Sequence, residues 1–194
     1  MFILYGLLAG FAAGLVLGGR PGALGDVKIH WVPVVLAGML VQLVLFTSPV
    51  SDRVGDLGPV LYVGSTALVF AAVVRNYSLA GLPLVIVGAA SNLTAIVTNG
   101  GYMPASPGAI ASIGHASTTT YSNSAVIAHP VLEPLTDIFA LPAWIPMTNV
   151  FSIGDVFISA GVGVVVALVM LKSRRTAPLE TIANLAVPGH TGEK

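Results

Sequence analysis

Five long apolar runs, separated by short polar or glycine-rich breaks, constrain this chain more than any other feature. They cover residues 2–18, 31–47, 59–74, 79–97 and 153–171, each near the roughly 20 residues a helix needs to cross a bilayer core. Backbone amides and carbonyls find no water there, so such runs must satisfy their hydrogen bonds internally, as helices. Only the last run carries an acid, Asp155, at its mouth. The charged fraction is 8%, against about 25% for soluble domains, which excludes a soluble fold. Eight Lys and Arg balance eight Asp and Glu, so no basic field exists to hold nucleic acid. The absence of cysteine removes disulfides, zinc–thiolate sites and thiol catalysis.

The fold class expected is all-α: a polytopic helical membrane protein with five transmembrane helices. The first run lacks a basic leader, and Gly18-Gly19-Arg20-Pro21 is a poor cleavage site, so it is read as a retained helix. Orientation follows from the basic residues, which hold their segments on the cytoplasmic side. Arg20, Lys28, Arg75, Lys172, Arg174, Arg175 and Lys194 fall on one side of a five-span arrangement, and Arg53 alone on the other. The N-terminus and the 98–152 loop are therefore expected outside, and the C-terminus in the cytoplasm. Trp31 and Trp144 fall at the interfaces. Residues 1–171 read as a single membrane domain, and 172–194 as a basic, largely disordered tail with a short surface helix near Leu179, Ile182 and Leu185.

Glycines 6, 10, 14 and 18 place small residues on one face of the first helix, where another backbone can approach closely. Gly6, Gly10, Gly14 and Gly18 could form a homodimer or partner-docking seam, or pack against the chain's own helices. In the fourth helix Ser91, Thr94 and Thr98 share one stripe, and Asn92 and Asn99 another. A buried amide in a bilayer needs a partner, which makes Asn92 a candidate binding residue. Asn99, before Gly100-Gly101, reads equally as a binding residue or a helix cap. The fifth helix opens through Asn149 and Ser152 to Asp155, with Ser159 one turn on. Ser152 and Asp155 have capping-box spacing, yet a carboxylate so close to hydrocarbon is usually functional.

The 98–152 loop is long for a plain connection and suggests binding or catalysis. Ser106-Pro107 can start a short helix to about Ile113. The 117–124 stretch is hydroxyl-rich. His129, Glu133 and Asp137 are spaced as if on one helix face, but Pro134 interrupts it; no metal and no cofactor is expected. Residues 140–146 are expected on the membrane surface.

Asn99-Gly100-Gly101-Tyr102-Met103-Pro104, Leu135-Thr136-Asp137 and the segment from Asn149 to Asp155 together resemble an uncharacterised family of small bacterial multi-pass proteins, a domain of unknown function. That resemblance implies a location in the bacterial cytoplasmic (inner) membrane and no known activity. The last two helices are also similar to signal peptidase II, an aspartic peptidase with a V-V-D-F segment followed by F-N-x-A-D. Residues 135–139 and 149–155 follow that order. Its G-N-x-x-D-R motif would fall on residues 91–96, where Asn92 is kept but Ala95 stands for the acid. The resemblance implies Asp155 as one catalytic carboxylate, with Asp137, or Glu133 behind it, as the only replacement for the other.

The leading expectation is thus a non-catalytic binding, assembly or regulatory component, in contact with the lipid bilayer and with a membrane protein partner or a second copy. The alternative is a membrane-embedded aspartic hydrolase using Asp155 and Asp137.

Overall fold

The structure, a computed structural model, describes residues 2–113, 124–127 and 129–185, with side chains undescribed at Ser48 and beyond Lys172. His115, most of the hydroxyl-rich stretch and Lys194 lie outside the described residues. The helices are α1 (Phe2–Val16), α2 (Val32–Leu45), α3 (Ser48–Val54), α4 (Leu57–Arg75), α5 (Leu82–Thr98), α6 (Pro107–Ser112) and α7 (Ile153–Leu185). Four short strands lie in the long loop: β1 (Met103–Ala105), β2 (Ser124–Val126), β3 (Phe139–Ala140) and β4 (Val150–Phe151). Two helices, Leu57–Arg75 and Ile153–Lys172, are long and apolar enough to cross a membrane; Phe2–Val16, Val32–Leu45 and Leu82–Thr98 are shorter apolar helices.

The helix ends have local causes. α1 stops before Gly18, which takes φ 78°. Gly18 N donates to Leu15 O and Gly19 N to Gly14 O, the paired bonds of a Schellman cap. Gly18 therefore ends the helix and is exposed, rather than continuing the small-residue face of Gly6, Gly10 and Gly14. Gly100 and Gly101, at φ 73° and 87°, end α5 with the equivalent long bond from Gly101 N to Ile96 O. Pro33 and Pro83 sit in the first turns of α2 and α5, where a missing N–H costs nothing. Two elements differ from expectation. α3 fills a connection read as loop, started by Thr47-Ser48-Pro49 and stopped at Gly55. α7 does not stop at residue 171 but continues through the basic segment read as largely disordered, with Pro178 inside it, to Leu185.

α7 is the axis of the bundle, packed between α1 and α5; α2 packs on α4, and α4 joins the two groups through α5. The helix directions follow from the contacts. Gly6, Gly10 and Gly14 face Ser159, Gly163 and Met170, so α1 and α7 run parallel. Gly81 and Gly88 face Gly161 and Gly154, so α5 runs against α7. Gly38 and Gln42 face Val69 and Thr66, so α2 runs against α4.

Size and polarity are arranged inside out relative to a water-soluble bundle. Gly10, Gly14, Gly38, Ser65, Ala72, Gly88, Ala95, Ser152 and Ser159 are buried, while Leu36, Leu40, Leu43, Val60 and Leu68 are exposed. At one end of the bundle, Asn76 ties the start of α2 to α4: its amide accepts from His30 N at 2.7 Å and donates to His30 O and Ala72 O. At the other end the 98–152 loop folds over the helix ends. β1 pairs in parallel with β2, β3 pairs antiparallel with β4, and Ala105, Ala109 and Val150 form a small core beneath α6.

Candidate functional site

The first turn of α7 builds one wall of the site. Ser152 precedes the helix, and its Oγ accepts a hydrogen bond from Asp155 N at 3.1 Å. Asp155 Oδ2 accepts in return from Ser152 N at 3.2 Å, completing a reciprocal cap. The second carboxylate oxygen is left over, and α5 supplies its partner: Asn92 Nδ2 donates to Asp155 Oδ1 at 2.8 Å. Ser152 Oγ donates to Asn92 Oδ1, also at 2.8 Å. Asn92 reaches this far because of glycine. A Cβ on Gly154 would collide with the Asn92 amide and sit 2.7 Å from Gly88 O. Asn92, Ser152 and Asp155 therefore form one network, although Asn92 lies about sixty residues earlier in the chain.

Asp137 arrives from the loop. Its N–H donates to Pro104 O at 2.9 Å and its carbonyl accepts from Ser106 N at 3.0 Å, so its backbone lies along β1 as a parallel bridge. Before it, the single 3-10 turn Glu133–Leu135 is closed by Thr136, whose N and Oγ1 both donate to Glu133 O. The pairing buries Asp137 to 8% exposure, and its Oδ1 is buried without a hydrogen-bond partner. Burial, then the charge on Asp155, push the Asp137 carboxyl from an ordinary 3.8 up to about 7, against a smaller opposing pull from the chain's amino group. At neutral pH it is poised between acid and carboxylate.

Both carboxylates border one chamber of about 230 Å³. Asn92, Asn149 and Tyr62 add polar groups to its wall, and Phe2, Ile3, Ile96, Met103 and Val150 make the rest apolar. Phe2 stacks on Phe151 at 4.2 Å, and Phe151 on Phe139 at 5.5 Å, which fixes the start of α1 against β3 and β4. Tyr5 Oη donates to Pro146 O and adds a second tie between α1 and the loop.

The remaining candidates lie elsewhere. Asn99 does not border the chamber. It staples the loop, donating to Ala95 O at 2.8 Å and Val131 O at 2.9 Å and accepting from Val131 N. Thr94 and Thr98 return their hydroxyls to carbonyls one turn back on α5. Glu133 is exposed in the 3-10 turn while Asp137 is buried, so the two do not share a helix face with His129. Gly6, Gly10 and Gly14 meet α7 of the same chain. Sequence reasoning passed over Tyr62, whose only sign is one polar aromatic in an apolar run. It also passed over Gly154, whose sign is its seven-residue spacing from Gly161, matched by Gly81 and Gly88 on the facing helix.

The two carboxyls stand in unlike surroundings, Asp155 held by two donors and Asp137 with a buried Oδ1 that has none, the kind of contrast on which acid–base chemistry depends. No curated protein and no solved structure matches the chain. A family model covers residues 26–167, a span that includes Asn92, Asp137, Asn149, Ser152 and Asp155, and the chain belongs to that family, the family of unknown function DUF5317.

Proposed function

We propose that this protein is a five-span membrane protein, N-terminus outside and C-terminus in the cytoplasm, whose chamber is an aspartic-type hydrolytic site at the outer surface. The observation that carries this reading is that Asp137 and Asp155 border the same chamber in unlike surroundings, Asp155 held by two donors and Asp137 Oδ1 buried without one. The alternating directions of the five apolar helices support the topology, as does the exposure of large apolar side chains over a small-residue interior. α1, α2 and α5 are short for a bilayer core, a mismatch that local thinning accommodates.

In the proposed reaction Asp155, as carboxylate, takes a proton from a water held between the two acids. The water oxygen bonds to a substrate carbonyl carbon while Asp137 gives its proton to the carbonyl oxygen. Collapse of the tetrahedral intermediate breaks the carbon–nitrogen bond. The proton held by Asp155 passes to the leaving amine, and the intermediate's hydroxyl proton returns to Asp137.

The test is cleavage of lipidated and apolar peptides by protein reconstituted in vesicles, beside Asp137→Asn and Asp155→Asn. Cleavage lost in both variants, and binding of a peptide with a secondary alcohol in place of the scissile amide, support the reading. Identical traces from wild type and both variants reject it.

A second reading has its own observation: Ser152 and Asp155 form a complete cap, which employs Asp155 without chemistry. On that reading the protein is a non-catalytic binding, assembly or regulatory component. Mild-detergent co-purification from the native host, with a partner retained in both Asp variants, would favour it.

A further inference from the structure

We propose that Asn92 is a positioning residue, keyed by Ser152, that determines which of the two chamber carboxyls carries the shared proton. The inference rests on the acid-pair reading of the chamber, and its argument is one of hydrogen-bond polarity. Ser152 Oγ already accepts from Asp155 N, so its own hydrogen is free to donate, and Asn92 Oδ1 receives it. Ser152 is fully buried, with no solvent to take that hydrogen instead. The Asn92 amide is therefore locked with Nδ2 toward α7, where it donates to Asp155 Oδ1. Asp155 Oδ2 is taken by Ser152 N. Both oxygens of Asp155 are acceptors, the pattern of a carboxylate without a proton.

Turning the amide over would set Asn92 Oδ1 against Asp155 and point Nδ2 at a serine oxygen that already has a donor. The serine hydrogen would then be stranded in a buried site, an arrangement native interiors avoid. The network thus has one self-consistent direction, from Ser152 through Asn92 to Asp155. The proton goes to the other acid, Asp137, whose buried Oδ1 has no donor to stabilise a charge. Tyr62 is the remaining titratable residue among those that line the chamber, the chain's amino group is the smallest of the three influences on Asp137, and among the described residues no Lys, Arg, His or Glu lines the chamber to override the choice. Gly154 belongs to the device, because any side chain there displaces the Asn92 amide.

The experiment is infrared titration of carboxyl groups in the full chain, reconstituted in lipid vesicles in D2O. Wild type should show a protonated-carboxyl band titrating near neutral pH, and Asp137→Asn should abolish it. Asn92→Leu keeps the branched shape and removes the polarity. In it the band should titrate about one pH unit lower, and a band should persist when Asp137→Asn is added, because Asp155 now takes up the proton. Ser152→Ala, which frees the amide to turn, should move the band in the same direction by less. An Asn92→Leu titration matching wild type, or a band still abolished by Asp137→Asn, overturns the proposal. If Asn92→Leu does not fold, as judged by circular dichroism, the same two outcomes are read from Ser152→Ala. The band needs no turnover, so failure to find a substrate leaves this result standing. Failure of the band test leaves cleavage that depends on both acids untouched.

Discussion

Helices α1, α5 and α7 meet at glycines set against one another's backbones, whereas α2 and α4 meet largely through side chains. In the first group, backbones approach until a Cβ at Gly10 would lie 2.5 Å from Gly163 Cα, and one at Gly161 would lie 2.7 Å from Gly81 O. In the second, Gly38 meets the Val69 side chain, and Gln42 Nε2 donates to Thr66 Oγ1 at 3.2 Å. The tight group carries Asn92, Ser152 and Asp155. Close backbones let a short amide bridge two helices, and they leave no slack for it to take another partner. The looser pair turns Leu36, Leu40 and Leu43 outward and contributes only Tyr62 to the chamber.

That contrast can be broken most sharply with pH. Asp137 holds its proton up to about pH 7 in the fold but only to 3.8 when ordinary. Between those values the folded chain binds a proton that the unfolded chain has released. Stability therefore falls as pH rises from about 4, and above pH 7 the full cost, on the order of 4 kcal/mol, is present. Once the intrinsic rise of exchange with pH is divided out, protection at high pH should fall in β1 and the first turn of α7 and stay unchanged in α2 and α4; Asp137→Asn should flatten the slope. Equal loosening of both groups would end the distinction between them.

Gly10→Ala forces a methyl into the Gly163 backbone and should cost about 1–3 kcal/mol in thermal unfolding. Gly64→Ala on α4, where nothing lies within 4 Å, should instead stabilise by about 0.5–1 kcal/mol through helix propensity. Asn92→Ala, which strands two buried partners, should cost about 1–2 kcal/mol. The smallest effect belongs to the looser pair: Gln42→Leu, losing its bond to Thr66, should change stability by about 0.6 kcal/mol. A larger loss there would mean that α2 and α4 depend on polar contact as heavily as the tight group does.

The first four apolar runs match helices to within a few residues because hydropathy is a local property, while α7 outruns its apolar stretch and ends at Leu185. Capping was read less well. Gly18 continues the four-residue spacing of Gly6, Gly10 and Gly14, and only its φ of 78° shows that it ends the helix instead. Asn92 and Asp155 each stood out as polar groups in apolar surroundings. Their partnership requires the crossing of α5 and α7, which rests on Gly81, Gly88, Gly154 and Gly161, a pairing of two distant segments that neither shows alone. The burial of Asp137 had no local sign at all. It follows from pairing with a strand some thirty residues earlier, and the residues near it in sequence are ordinary loop polarity.

The partnership of α1 with α7 has a consequence for biogenesis on the five-span reading. Gly10 and Gly163 meet although roughly 150 residues separate them. At synthesis rates of about 5–20 residues per second, the first helix waits on the order of 10–30 s for the helix that covers it. Throughout that interval its glycine face meets lipid or an insertion factor rather than its own chain. A nascent chain halted before residue 153 would lack the capping network, Asp155 and one wall of the chamber together. The chamber is therefore among the last parts of the molecule to be completed, closed only once α7 has been made.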